Sequence, residues 1–507
     1  MTALVLDRRR LAGGDAGGPR LSAGVAIHPA CPPPVALRAT PSPPRDRFAI
    51  PLLLDPPAAE RPVGGGLALV LALLSFFTFA APAFAQTAPT GGVPVERIVS
   101  ESGIEAWLVS DSTVPIIVAR AYWRGGSAIE PARLAGVTSV MADMLTEGAG
   151  GLDANAFKER LEELNMSLGF AASADGVGMS LTTLSENRDA AFAMARLALT
   201  QARFDAAPLE RIKRQMLVAI RSRETNPGYI ANLALDQALY PGHVYARRTS
   251  RESVEAITLA APRERAESLL TRERLQITIV GDIDAANARR LMDETFGALP
   301  RGAASPEPAE VALQAPIALI VRELPQPQSL IVFAAPGIQD EDPDWLALAV
   351  ANYILGGGGF SSRLMNEVRE QRGLVYGIGT GPSVRDHAAL IRGSAQTENG
   401  NVAEALEVTR AEIARFYNDG ASQTEVNDAI TYLTGSFALD LDSNVNIASV
   451  VHSYQAAGRD ITYLNTRNAL IAAVTLADVN RVARRLFNPA GFTFVVVGQP
   501  EGLGRAE

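Results

Sequence analysis

Thr258 to Gly281 reads TLAAPRERAESLLTRERLQITIVG, and Thr475 to Gly498 reads TLADVNRVARRLFNPAGFTFVVVG. Each stretch is 24 residues long, and Ala266/Ala483, Leu269/Leu486 and Gly281/Gly498 all stand 217 residues apart without a gap. In both, helical spacing of apolar residues gives way to a β-branched run that ends in glycine. A register kept through a helix and a strand marks a duplicated unit. Upstream the match continues. SLTTLSENRDAAFAMARLAL, from Ser180, resembles RGSAQTENGNVAEALEVTRAEI, from Arg392, with Glu186-Asn187 opposite Glu398-Asn399. A repeat of roughly 210 residues is too long for a solenoid unit and signals a duplicated domain.

Pro, Gly and Ser cluster in PRGAASPEPAE, and apolar periodicity stops there, so residues 300–310 are read as a linker. Domain one then covers 93–299 and domain two 311–507. Strands are expected at Val114 to Tyr122, Leu330 to Ala334 and Ala389 to Ala395, between helices of ten to twenty residues. Ser422-x-x-Glu425 before an apolar run is a capping box. Strands and helices come in groups without strict β-α-β alternation. The fold class expected is α+β, two homologous domains, each an antiparallel sheet packed with helices.

The first 85 residues read differently. Gly64 to Ala85, GGGLALVLALLSFFTFAAPAFA, is an apolar run with Arg61 ahead of it and Ala83-Phe84-Ala85 at its end. These are the parts of a signal peptide cleaved after Ala85, which places the mature chain in the periplasm with no stable membrane anchor. A transmembrane anchor is the rival reading of the same run. Residues 1–63 read as a disordered or mis-assigned leader, and the only cysteine, Cys31, lies there. The formal charge of −9 argues against nucleic acid as a partner, because phosphate binding needs a concentrated basic surface.

Gly356, Gly357, Gly358 and Gly359 form an unbroken run in LGGGGFSSR. No lysine lies near, and a helical pattern rather than a strand precedes them, so a nucleotide phosphate loop is excluded. The first glycines suit a helix C-terminus, with Ser361-Ser362 capping the next helix. Four in a row exceed a cap's needs and are expected to leave a flexible backbone open to a ligand. Downstream, Arg369 and Tyr376 are separated by a helix end, Gly373 and the start of a strand. Their guanidinium and phenol are donors suited to a polarised carbonyl or an oxyanion. A solvated arginine and a core tyrosine are the alternatives.

GGGGFSSRLMNEVREQRGLVYGIGT resembles the second-domain signature of the insulinase-like (pitrilysin, M16) zinc peptidases and their relatives, the mitochondrial processing peptidase subunits. The resemblance extends over the duplicated domains and the segment YPGHVYARRTSRESVEAIT. It implies that Arg369 and Tyr376 bind a substrate backbone and assist its tetrahedral intermediate. The glycine run is similar to the substrate-guiding loop of the non-catalytic processing-peptidase subunit.

Active members carry His-x-x-Glu-His on a domain-one helix, where histidines four apart share a face, ligate zinc and flank a glutamate that activates water. The matching stretch here is GVTSVMADMLTEG, Gly136 to Gly148, which puts Ser139, Ala142 and Asp143 at those positions. The third ligand is expected on PLERIKRQMLVAIRSRETNP, where the chain has Val218 and Ala219. The helix at Gly136 is expected to survive as packing, with Leu134, Val137, Met141, Met144 and Leu145 on one face. His243, in the YPGHVY turn, is read as structural, and no complete alternative active site is found.

The resemblance therefore implies a non-catalytic, substrate-binding subunit with no zinc of its own. Its partner would be an M16 homologue bearing an intact zinc motif, and a peptide would be held between the two. A scaffold without proteolytic role and an autonomous peptidase with unusual ligands are the competing readings.

Overall fold

The computed structural model describes residues 92–302 and 307–503, all within one unit, Pro44–Glu507. The leader, the apolar segment 64–85 with its Ala85 exit, and Cys31 lie outside the described residues. Among the described residues, no helix is long and apolar enough to cross a membrane.

Among the described residues, eleven strands form two sheets. The first contains β1 (Glu96–Val99), β2 (Glu105–Ser110), β3 (Ile116–Arg124), β4 (Ser167–Ala172), β5 (Gly176–Leu184) and β6 (Leu275–Gly281). The second contains β7 (Ile320–Glu323), β8 (Gln328–Pro336), β9 (Gly377–Arg385), β10 (Ala388–Glu398) and β11 (Thr493–Gly498). Their orders are β1-β2-β6-β3-β5-β4 and β7-β11-β8-β10-β9, so the second sheet repeats the first without its outermost strand. The sheets are mixed rather than purely antiparallel, because β2 pairs with β6, and β7 with β11, in parallel. The two parallel strands are separated by nearly a whole repeat. Sequence spacing could not show them as neighbours.

The glycine that closes each repeat is sterically imposed. At Gly281, φ is +127° and a Cβ would collide with the Ile116 carbonyl; at Gly498 it would collide with Ser329. Strand β3 pairs Ile117 with Gly281 at that point.

Strands β6 and β11 are apolar along their length because both faces of each sheet are covered. Ile277 and Ile279 pack into the core formed with the first half's own helices, and Phe494 and Val496 do the same in the second half. The opposite faces are covered reciprocally. Four helices matter below: α1 (Val137–Met144), α2 (Ala206–Arg223), α3 (Pro227–Leu239) and α4 (Asn444–Ala456). Helix α3, from the first half, lays Ala231, Leu235 and Leu239 on Val495 and Val497 of the second sheet. Helix α4, from the second half, lays Ile447, Ala448, Val451 and Tyr454 on Val118 and Val280 of the first sheet. Thr278 of β6 donates to Gln455 Oε1 at 2.9 Å, so this polar residue on that face is partnered.

A polar clamp seals the exchange. Asp236 of α3 is buried, accepts from the Tyr240 hydroxyl and the Arg248 guanidinium at 2.6 Å each, and faces Arg392 of β10 at 3.6 Å. His243 Nε2 meets the Ala309 carbonyl at 2.8 Å, and His387 Nδ1 meets Glu310 Oε1 at 2.9 Å, fastening the end of the linker. His243 is therefore structural.

Because each sheet needs the other half's helix, the described unit is expected to unfold in one transition. Truncating Leu235, fully buried against the second sheet, should cost about 2–4 kcal/mol. Calorimetry of Leu235→Ala should show one endotherm moved to lower temperature. A second endotherm, with the first half's melting unchanged, would contradict the exchange.

Candidate functional site

Helix α1 is anchored as a core element. Gly136 precedes it with φ +102°, and its N–H donates to the buried carboxylate of Glu130 at 2.7 Å. Glu130 also accepts from the Thr138 amide and hydroxyl. A carboxylate at a helix N-terminus satisfies donors that the helix cannot. Leu134, Val137, Met141, Met144 and Leu145 are all buried, as the apolar spacing predicts. The helix is short, and Val140 and Ala142 are buried as well, so it is enclosed on more than one face.

The positions matching the zinc motif offer little to a metal. Ser139 is half-buried, Ala142 is buried without a donor atom, and Asp143 is exposed; Val218 and Ala219, on α2, are exposed and apolar. Among the described residues, no group of three or more His, Cys, Asp or Glu is gathered to hold a metal ion. Glu147, four residues after Asp143, is committed to Arg211 at 2.6 Å and Lys158 at 3.2 Å. These residues do not fit zinc. A guanidinium from α2 supplies a positive charge beside the end of this helix, and the reading of the sequence missed it. Glu147 lies in the bend just past the end of α1, where helical spacing marks no partner for it.

Asp143 is exposed as a residue, yet burial of its carboxyl by the surrounding protein and the neighbouring Glu147 push it up to about 6, against the pull of Arg211. A carboxyl that holds its proton more tightly when folded lowers stability as pH rises from about 4 through 6.

The glycine run differs from the open cradle expected. Tyr353–Gly357 form a π-helical turn and Gly359–Ser361 a 3-10 turn. A Cβ on Gly356 would collide with Thr380, one on Gly357 would lie 2.5 Å from Asn352 Nδ2, and one on Gly358 would lie 2.7 Å from the Tyr353 carbonyl. Those three are glycine because the chain packs closely there. Only Gly359, with φ +55° and open space around it, is free. Ser362 accepts the Met365 amide at 3.4 Å and so caps the next turn, while Ser361 is exposed.

Arg363 is structural. Its guanidinium grips Glu425 at 2.6 and 2.8 Å and reaches the Gly420 carbonyl at 2.9 Å. Burial would push Glu425 up, yet Arg363 and the capping-box partner Ser422 hold its carboxyl at about 2.

Arg369 lies at the end of the π-helical segment Met365–Glu370, and Gly373, with φ +64°, turns the chain back. The Leu374 amide bonds the Val368 carbonyl at 3.0 Å, and the Tyr376 amide bonds the Gln396 carbonyl of β10 at 3.1 Å, which fixes the turn between the two residues. Arg369 stacks on the Phe360 ring, 4.6 Å from its centroid, and its nearest acid is Glu370 at 3.7 Å. Tyr376 is 60% exposed and Phe360 55%. A mostly solvated phenol and a guanidinium resting on an aromatic face are donors ready for an incoming carbonyl. Phe360 was not singled out from sequence, since an aromatic after glycines has no helical or strand period to mark it.

A family model described as the peptidase M16 inactive domain matches residues 256–433. The solved structure of an M16 inactive domain from Pseudomonas fluorescens is 28% identical, with a TM-score of 0.76 over 82% of this chain and 100% of that one. The chain resembles the M16 peptidases. Within the M16 proteins, the non-peptidase homolog YmxG of Helicobacter pylori is 26% identical over 74% of this chain and 87% of that protein. The M16 fold is also shared with the periplasmic protease PqqL of Escherichia coli, with a TM-score of 0.69 at 14% identity over 84% of this chain and 49% of that one.

The substitution Asp143→Asn removes a carboxylate whose charged form the fold disfavours. It should raise stability at about pH 7.5 by on the order of 1 kcal/mol, discounted for solvent screening, and leave it unchanged at about pH 3.5. Thermal melts at both pH values check this; an equal shift at both would refute it.

Proposed function

We propose that this chain is the non-catalytic, substrate-binding subunit of a periplasmic heterodimeric zinc peptidase acting on peptides. The carrying observation is the contrast between α1, whose metal positions are Ser139, Ala142 and Asp143, and the pair formed by half-buried Arg369, resting on Phe360, and exposed Tyr376. The first cannot hold zinc. In the second, Tyr376 is mostly in solvent and Arg369 rests on an aromatic face with Glu370 at 3.7 Å.

On this reading, Arg369 and Tyr376 donate hydrogen bonds to a peptide carbonyl, and Phe360 keeps the guanidinium flat against one face so that its fork points outward. Gly356 to Gly359 give the loop its close packing against Thr380 and Asn352 and leave the peptide side free of bulk at Gly359. Zinc and its activated water belong to a partner, an M16 homologue with an intact His-x-x-Glu-His. Export follows from the segment 64–85, cleaved after Ala85.

The test is co-expression with such a homologue. The complex should carry zinc on the partner only and cleave peptides, while this chain alone does neither. Arg369→Ala should lower kcat/KM roughly 10- to 100-fold and Tyr376→Phe by a smaller factor, with melting temperatures unchanged. Stoichiometric zinc and cleavage by the isolated chain would overturn the assignment. Full activity in both variants would favour a scaffold role.

A further inference from the structure

Helix α2 carries MLVAI at residues 216–220, five apolar residues in succession, yet from Lys213 to Arg223 no residue is fully buried. The helix is pinned at its start by Leu209 and Ile212, and Lys213 ties it down by donating to the carbonyls of Glu255 and Ile257 at 3.2 and 3.0 Å. Beyond that point one side stands free. Arg214, Val218 and Arg221 lie on this side at helical spacing, and Val218 is 65% exposed.

The charge of this face is one-sided. Arg211 is used by Glu147, and Arg223 lies over the Tyr229 ring. The side chains of Arg214 and Arg221 have no hydrogen bond or ion pair among the described residues. The acids on the helix and at its end are Glu210, which pairs with Lys213 at 3.9 Å, and Glu224. In a chain of net charge −9, two unpaired arginines flanking an exposed valine form a local surface of opposite sign.

We infer that this face of α2 binds an acidic stretch of the peptide substrate, with carboxylates on Arg214 and Arg221 and an apolar side chain on Val218. The inference rests on the reading of the chain as a peptide-binding subunit and adds the substrate's charge class to it. Size favours a peptide over a folded partner. Residues 213–223 span ~16 Å of helix about 10 Å across, on the order of 160 Å² of surface and far short of the about 800 Å² that a stable protein interface buries per partner. Arg214 and Arg221 stand about 10 Å apart along the axis. Same-face residues four apart in an extended chain stand about 13 Å apart, within the reach of two long side chains. An acid, an apolar residue and an acid at alternate positions therefore match the face in order. A membrane surface suits it less, since Val218 is the one large hydrophobic side chain of α2 that is largely exposed and the helix has no aromatic.

The full chain should be titrated with labelled peptides containing Glu-Ser-Leu-Ser-Glu, its Gln counterpart and its Lys counterpart. The Glu peptide should bind about tenfold tighter than the Gln peptide, with the Lys peptide weakest and the preference falling as salt rises. The double substitution Arg214→Gln with Arg221→Gln should abolish the preference, and Arg214→Glu with Arg221→Glu should reverse it. Circular dichroism should show both variants folded, since neither arginine has a partner to lose. Peptides that bind equally whatever their charge, or unchanged binding in the double variants, would refute the acidic-substrate inference and leave the peptide-binding reading intact. Failure of all three peptides, with Arg369→Ala also without effect on a wider peptide library, would refute both. Co-sedimentation with phosphatidylglycerol vesicles that the double Gln variant loses, without any peptide preference, would assign the face to a membrane and overturn the proposal.

Discussion

Each sheet in this chain is closed by a helix that belongs to the other half. Helix α3 covers the second sheet and α4 the first, and each contributes a row of buried aliphatic residues to a face that would otherwise stand in water. Burial of this kind stabilises in proportion to the apolar area removed from solvent, and here that area lies between the halves. The clamp at Asp236, with Tyr240, Arg248 and Arg392, places a desolvated carboxylate at the same junction. A buried charge is tolerated only while its partners are in place, so the clamp ties the relative placement of the sheets to four specific side chains.

That junction explains what the sequence could and could not show. The repeat was readable because TLA…VG carries helix and strand periodicity in one register, and its closing glycines are fixed by local collision with Ile116 and Ser329. The α+β class and the capping box at Ser422 follow from similarly local rules. The parallel pairs β2/β6 and β7/β11 and the exchanged helices are contacts between distant residues, and periodicity carries no record of which partner an apolar face finds. Thus the continuous apolar strands announced two covered faces without saying that the second cover comes from across the linker.

The site was legible to the same degree. That Ser139, Ala142 and Asp143 stand where the zinc motif has His, Glu and His needs only residue identities. The cation beside α1 is a contact between distant residues, because Arg211 reaches Glu147 from another helix. The glycine run was misread as slack; in the structure three of its members are glycine through contact with Thr380, Asn352 and Tyr353, and steric demand of that kind leaves no mark in sequence beyond the glycine itself.

The helix exchange also sets an order of events during synthesis. The first sheet has all six of its strands once residue 281 has been made, but the helix that covers its second face begins at Asn444. For more than a hundred and sixty residues of elongation, Trp107, Val109, Val118 and Val280 have no cover of their own. An apolar sheet face left open that long invites wrong pairing, so the nascent first half either stays unfolded or is held by another protein until the end of the chain arrives. The exchange that makes the finished molecule a single cooperative body makes its first half dependent on the last to be made.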